Sequence, residues 1–175
     1  MPRGNGWRYA GIDEANHGRS PEIFVAVYSD LLEDVYCHTT KQFPKRRNNH
    51  KSLAGRLAHR DYAFVIVSKD TLQTYREEQV FGSVVVSLIE PIIRLGRLEQ
   101  IWIDGQPCHQ QEEEMWRRLR REFGITEKDI SIQFGPKYDT KVQIVNIADE
   151  LAHHLFHRPL EKIAKNHHKV DLLLQ

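Results

Sequence analysis

Hydrophobic residues in the first half of the chain cluster in short runs that turn-forming and polar residues separate. Apolar runs of this length predict β-strands at residues 7–12, 23–28 and 62–67, and a shorter third strand is predicted at 34–39. Leu53 and Leu57 have helical spacing, which predicts a helix over residues 51–59. The Pro-containing stretch before that helix is expected to be a loop.

The second half of the chain alternates helical and strand-like patterns. Helices are predicted at 71–95, 112–123 and 145–156, and strands at 100–103 and 130–134. Pro91 is expected to kink or divide the first of these helices. Strands followed by alternating helices and strands favour an α/β fold in which helices flank a mixed central β-sheet.

Length and composition indicate one ordinary globular domain. The chain has 175 residues, of which 40% are hydrophobic and 28% charged, so we expect a single domain over 1–175, with its core at about 7–157 and a basic tail at 158–175. No apolar run approaches the roughly 20 residues that span a membrane, and no secretory leader is recognisable. Cys37 and Cys108 have no metal-ligand spacing, so a reducing cytoplasm is the expected location.

The positive charges are concentrated in two segments, although the net charge is only +1. Both segments are candidates for contacts with the phosphates of a nucleic acid. The first spans residues 41–60 and contains Lys41, Lys45, Arg46, Arg47, Lys51, Arg56 and Arg60. The second, at 158–169, contains Arg158, Lys162, Lys165 and Lys169.

Acidic residues follow predicted elements at three distant places in the chain. Asp13 and Glu14 come after the first strand, Asp104 ends the strand at 100–103, and Asp149 lies near the start of the last helix. Such groups repel one another if they converge, unless a divalent cation lies among them. Mg²⁺ or Mn²⁺ is the cation expected, and a pair of ions would suit phosphoryl transfer.

The motifs that contain these acids resemble those of the type 2 ribonucleases H. Gly11-Ile12-Asp13-Glu14-Ala15 is similar to the first strand motif of those enzymes, and Ile103-Asp104-Gly105 to their middle motif. Lys137-Tyr138-Asp139-Thr140-Lys141-Val142 resembles the stretch that contains their last catalytic Asp. A competing similarity is that of Asn146-Ile147-Ala148-Asp149-Glu150-Leu151-Ala152 to the last motif of type 1 ribonucleases H and of Holliday-junction resolvases.

The resemblance implies a ribonuclease H-like fold and a metal-dependent endonuclease. Asp13 and Asp104 would hold two Mg²⁺ or Mn²⁺ ions with Glu14, and Asp139 and Asp149 are rival candidates for the last ligand. The substrate would be an RNA–DNA hybrid or DNA. The alternatives are a junction resolvase, which would act as a homodimer, and an inactive nucleic-acid-binding module of the same fold.

The sequence departs from the type 2 pattern in the segment that reads the substrate. Asn16-His17-Gly18 stands where those enzymes have Gly-Arg-Gly, a segment that helps them to recognise the 2′-hydroxyl of RNA. No counterpart of their Tyr-bearing C-terminal segment is found. We expect Asn16, His17 and Gly18 to contact substrate at the site. Lys45, Arg46, Arg47 and Lys51 are expected to contact its backbone.

Overall fold

The computed structural model describes residues 6–15, 21–44 and 52–174. Five strands form one sheet, and their bounds agree with the predicted strands to within a few residues. They are β1 (Tyr9–Ala15), β2 (Glu22–Ser29), β3 (Asp61–Val67), β4 (Gln100–Asp104) and β5 (Ser131–Gly135).

Seven α-helices and one 3-10 helix accompany the sheet within the described residues. The α-helices are α1 (Leu53–Arg56), α2 (Lys69–Thr74), α3 (Glu77–Ile93), α4 (His109–Phe123), α5 (Tyr138–Lys141), α6 (Gln143–Phe156) and α7 (Leu160–Ile163), and the 3-10 helix is Leu32–Val35. None of the helices in these ranges combines the length and apolar character needed to cross a bilayer.

The sheet is mixed, with the strand order β3-β2-β1-β4-β5. β1, β2 and β3 pair antiparallel, whereas β1 and β4, and β4 and β5, pair parallel. β1 is therefore the central strand, and its carboxyl end lies beside the carboxyl end of β4. This register is what brings the motif at Asp13 next to the motif at Asp104.

Two hydrophobic layers cover the two faces of the sheet. On one face α3 and α4 pack against side chains such as Ile12 and Ile103. On the other face α6 packs against Tyr9, Val25 and Phe64. Helix α3 is apolar around most of its circumference because it lies between the sheet and α4, and its buried residues run from Val80 to Ile93.

Gly11 allows α6 to lie directly on β1. A Cβ atom at position 11 would come within 2.7 Å of the main-chain carbon of Ile144, a separation that real Cβ atoms essentially never show. The lack of a Cβ atom at this position therefore permits the short distance between the central strand and the helix that contains Asp149.

The prediction of a strand at residues 34–39 is wrong. The chain forms the 3-10 helix Leu32–Val35 there, and Asp34 is completely buried. Its carboxylate accepts hydrogen bonds from Ser29 Oγ at 2.5 Å and from the Arg60 guanidinium at 2.6 and 2.7 Å. A buried carboxylate with these partners holds the chain in a turn, and no pattern of apolar residues reveals that interaction.

The prediction of helical structure at 71–95 is confirmed, but two helices occupy this stretch instead of one. The chain forms α2 and α3, with extended backbone at Tyr75 and Arg76 between them. Pro91 lies inside α3, which continues to Ile93, so the proline does not divide the helix. Helix α1 is shorter than predicted, since it covers only Leu53–Arg56.

The C-terminal segment packs onto the domain. Lys169 forms an isolated parallel bridge with Phe64 on the edge strand β3, and Val170 N donates to Phe64 O at 2.9 Å. Further along, Leu173 N donates to Ser87 Oγ on α3 at 2.9 Å. Residues of the predicted basic tail thus cover the free edge of the sheet.

The buried ion pair between Asp34 and Arg60 provides a test of this region. We expect Arg60→Met to lower the free energy of unfolding by about 3–5 kcal/mol, because it leaves the Asp34 carboxylate buried without its cation. The control is Arg94→Met, since Arg94 is 73% exposed and pairs with Glu90 on the surface of α3; its expected cost is below about 0.5 kcal/mol. Urea denaturation measures both, and equal costs for the two variants would contradict the interpretation.

The contact at Gly11 provides a second test. Gly11→Ala should lower the free energy of unfolding by about 1–3 kcal/mol, because the new methyl group must push α6 away from β1. Thermal denaturation and urea denaturation both measure the effect. An unchanged stability would show that α6 does not depend on this close approach.

Candidate active site

Asp13 and Asp104 lie side by side at the carboxyl edge of the sheet. Ile12 and Ile103 are partners in the parallel pairing of β1 and β4, and the two aspartates are the next residues along each strand. Side chains alternate between the faces of a strand, so both carboxylates project toward the face that α6 covers. Asp13 is only 8% exposed, and the Glu14 main-chain N–H donates to its Oδ1 at 2.7 Å.

A tight turn after β5 brings Asp139 to Asp104. Gly135 is the β5 partner of Asp104, and Lys137 takes the left-handed conformation with φ of +66° before α5 begins. This turn reverses the chain, so that the main-chain N–H of Asp139 donates to Asp104 Oδ1 at 3.2 Å. The motif at 137–142 therefore lies at the same sheet edge as the motifs in β1 and β4.

Asp149 reaches the same edge from α6. It lies in the second turn of that helix, which the contact at Gly11 holds against β1. Its charge raises the pKa of both Asp13 and Asp104, which places its carboxylate near each of them. Four aspartates from four distant parts of the chain thus converge.

The electrostatics of this group are unfavourable for negative charge. Burial raises the pKa of Asp13 well above its usual value, and the charges of Asp104, Asp149 and Asp139 raise it further. Burial also raises the pKa of Asp104, although hydrogen bonds from the main chain of Asp139 and Tyr138 oppose the shift. The fold therefore holds carboxylates where they repel one another, a situation that is typical of functional sites.

The two rivals for the last position interact differently with the other two aspartates. For Asp13, Asp149 raises the pKa more than Asp139 does. For Asp104 the order is reversed, and Asp139 also donates its main-chain N–H to that carboxylate. Both residues therefore interact with the group, and Asp139 is in addition hydrogen-bonded to Asp104.

Glu14 projects to the opposite face of the sheet from Asp13. It lines a cavity of about 580 Å³ between the sheet edge and α3, together with Asp13, Glu22, Glu77 and Asp104. The cavity floor is apolar and includes Phe81 and Val84. Glu14 is therefore at the same sheet edge as the four aspartates, but its side chain lies on the opposite face of the sheet from that of Asp13.

The donor chemistry of the group suits Mg²⁺ or Mn²⁺, which prefer a few carboxylates with retained water. In the described part of the chain, no three His, Cys, Asp or Glu side chains are already arranged around a common metal position. Coordination by these residues therefore requires side-chain rotation. The raised pKa of Asp13 is the perturbation that a bound cation would reverse.

All the residues expected to contact substrate lie outside the described ranges. These are Asn16, His17, Gly18, Lys45, Arg46, Arg47 and Lys51. Three other basic residues of the segment at 41–60 are described: Lys41 is exposed, whereas Arg56 and Arg60 bind carboxylates within the domain. Arg60 pairs with Asp34, and Arg56 with Glu150, so neither guanidinium is directed at a phosphate.

A buried polar network, not identified as such from the sequence, supports the site. Asn146 is 2% exposed, and its Nδ2 donates to Asp139 O at 2.7 Å and to Pro44 O at 3.2 Å. Arg56 Nη2 donates to Asn146 Oδ1 at 2.5 Å and the same guanidinium pairs with Glu150. An asparagine among the buried apolar residues of α6 was the signal, because a buried amide requires partners.

Comparison with known proteins identifies the fold. No protein-family model matches the sequence, and no curated protein matches it either. Among solved structures, a chain of the PCNA:RNase HII complex from Archaeoglobus fulgidus is 19% identical, with a TM-score of 0.57, and the match covers 90% of this chain and 77% of that one. Bst-RNase HIII in complex with Mn²⁺ is 15% identical with the same TM-score of 0.57.

The HIII structures are considerably longer than this chain. A mutant of Bst-RNase HIII is 16% identical over 91% of this chain and 55% of its own, and the complex with Mn²⁺ is covered to the same 55%. This chain therefore spans about half the length of those proteins. The mixed five-stranded sheet and these structural matches confirm the predicted architecture: the chain has a ribonuclease H-like fold, of the kind seen in ribonucleases HII and HIII.

Proposed function

We propose that this protein is a divalent-metal-dependent endonuclease that hydrolyses the phosphodiester bonds of nucleic acid. The observation that carries the proposal is the convergence of Asp13, Asp104, Asp139 and Asp149 at one edge of a ribonuclease H-like sheet. One of the structural relatives is described as a complex with Mn²⁺, which supports the choice of cation.

The proposed ligands are the four aspartates together with Glu14. Asp13 is central because it is the most buried of them and its pKa responds to the charge of each of the other three aspartates. Asp139 is hydrogen-bonded through its main chain to Asp104, and the charge of Asp149 raises the pKa of both Asp13 and Asp104. Two bound ions would supply an activated water and would offset the charge that develops on the leaving oxygen.

The remaining contribution of the protein is to hold these groups in place. The main-chain N–H of Glu14 donates to the Asp13 carboxylate at 2.7 Å, and that of Asp139 donates to the Asp104 carboxylate at 3.2 Å. These two hydrogen bonds orient the carboxylates. The Asn146 amide fixes the Asp139 carbonyl at 2.7 Å. These contacts preorganise the charged groups, so that little rearrangement of the main chain is required when substrate binds.

The proposed substrate class is an RNA–DNA hybrid or DNA. The altered triplet Asn16-His17-Gly18 argues against a reading of the 2′-hydroxyl like that in type 2 ribonucleases H. The effect of the Asp149 charge on the pKa of Asp13 favours a second candidate, a junction resolvase, because the motif around Asp149 resembles that of resolvases. The cytoplasmic location of the protein stays a prediction. The homodimer, which belongs to the resolvase candidate, also stays a prediction.

The metal chemistry is tested by Asp13→Asn. We expect the wild-type protein to cleave at least one of three substrates with Mn²⁺ or Mg²⁺: an RNA–DNA hybrid, a duplex with a single ribonucleotide, or a four-way junction. The variant should lose about 1,000-fold in rate, because the lost metal ligand contributes several kcal/mol to the transition state. Gel-based cleavage assays measure the rates, and the substrate that is cleaved decides between the two candidates.

Asp171→Asn is the matched control, since the side chain of Asp171 is 95% exposed and lies near Lys169 on the C-terminal segment. It should cleave at the wild-type rate. Asp139→Asn and Asp149→Asn distinguish the two rival ligands by which variant loses more activity. If the wild-type protein cleaves none of the three substrates with either metal, the enzyme proposal fails and an inactive binding module takes its place.

The repulsion among the aspartates predicts a pH-dependent stability in the presence of a chelator. The pKa of Asp13 is raised in the folded state, so the folded protein loses stability as rising pH ionises this carboxylate. Asp13→Asn removes that charge, so the variant should be more stable than wild type near neutral pH. The difference should disappear below about pH 4, where the carboxyl is protonated in both folded and unfolded chains.

Thermal melts in EDTA between about pH 4 and pH 8 measure this difference. Asp171→Asn again serves as the control, with no change in melting temperature relative to wild type across the range. A variant Asp13→Asn that is less stable than wild type at neutral pH would show that the Asp13 carboxylate is held by favourable contacts instead of being repelled by its neighbours.

A further inference from the structure

Residues 36–44 form an aromatic surface segment beside the candidate active site, which we call the aromatic ledge. Tyr36 is 63% exposed. Among the described residues, the other exposed tyrosine is Tyr75, at 37%. The Tyr36 ring contacts that of His38 edge-on at 4.7 Å, and His38 contacts Phe43 in the same way at 5.3 Å. Edge-on contacts of this kind hold the three rings together, and Tyr36 at one end of the row is the most exposed of them.

The aromatic ledge is bonded to the element that contains Asp139. His38 N donates to Lys141 O at 2.9 Å, and Phe43 N donates to Thr140 O at 2.7 Å. Both acceptors belong to α5 and lie within two residues of Asp139, which corresponds to about 3 Å along a helix axis. The Asn146 amide holds the far end of the ledge through Pro44 O at 3.2 Å.

The charge of the ledge is complementary to a polyanion. No acidic residue occurs between Tyr36 and Pro44. The Lys41 ammonium lies 5.5 Å from the centre of the Phe43 ring, and Lys41 is exposed. Aromatic faces next to an ammonium group are the combination that binds single-stranded nucleic acid, because bases stack on the rings while the cation approaches the backbone.

We propose that the aromatic ledge binds unpaired nucleotides of the substrate, with bases stacked on Tyr36 and on Phe43, and so delivers the adjoining backbone to the aspartates. This inference rests on the proposed function, because it assigns a substrate feature to that site. A base within an intact duplex already stacks on its neighbours and presents no free face. The preferred substrate is therefore one with single-stranded nucleotides next to the cleavage position.

The test is the affinity for a fluorescein-labelled oligothymidylate of about 12 nucleotides, followed by fluorescence anisotropy in EDTA. Wild type should bind it more tightly than a blunt duplex of equal length. Tyr36→Ala should raise the Kd for the single strand about 5- to 100-fold, because the variant loses the stacking of one base. Tyr36→Trp should restore binding, because an indole also stacks.

Tyr75→Ala is the matched control, since Tyr75 is a second exposed tyrosine, 37% exposed, and lies between α2 and α3 instead of in the ledge. It should bind the oligonucleotide with the wild-type Kd. Phe43→Ala tests the second ring, and circular dichroism confirms that each variant is folded. An unchanged Kd for folded Tyr36→Ala would overturn the proposal, as would an equal loss of affinity for the blunt duplex.

The binding experiment is independent of cleavage because EDTA removes divalent ions. If wild type cleaves with Mn²⁺ but Tyr36→Ala binds and cleaves normally, the ledge proposal fails and the nuclease proposal stands. If the oligothymidylate binds through Tyr36 but no substrate is cleaved, the ledge proposal stands and the nuclease proposal fails.

Discussion

Mutual repulsion of carboxylates at one edge of the sheet is the constraint around which this structure is organised. Asp13 is nearly buried, and three other aspartates raise its pKa together with that burial. Such an arrangement costs stability unless something positive compensates for it, so the rest of the fold must hold it in place. The compensation does not come from Arg56 or Arg60, since those two guanidinium groups are paired with Glu150 and Asp34.

Most of the described contacts that position the aspartates involve the main chain. The parallel register of β1 and β4 places Asp13 beside Asp104. The close approach of α6 at Gly11 brings Asp149 near, and the left-handed turn at Lys137 returns the chain so that Asp139 contacts Asp104. The Asn146 amide connects α6, α5 and Pro44. Main-chain N–H groups orient the carboxylates without removing their negative charge, which fits the proposed binding of hard cations.

The two sides of this edge differ in character. Toward α5 lies the aromatic ledge, where Tyr36 is exposed and Lys41 provides the positive charge. Toward α3 lies the acidic cavity lined by Glu14, Glu22 and Glu77. Among the described residues, a polyanion approaching the aspartates therefore meets positive charge on the side of the ledge and carboxylates on the side of the cavity, which gives the proposed nucleic-acid path a direction across the domain.

The sequence by itself determined strands β1 to β5 and helix α6, because apolar periodicity reports burial. The ribonuclease H-like fold was implied by the resemblance of the acidic motifs at Asp13 and Asp104 to those of a known family. Tertiary structure alone decided the interactions between distant residues. It showed that Asp139 and Asp149 both approach the site, that Asp34 is buried in a turn with Arg60 instead of lying in a strand, and that residues 36–44 lie against α5. A hydrogen bond or ion pair between residues tens of positions apart produces no periodic pattern in the sequence, so only the folded structure reveals it.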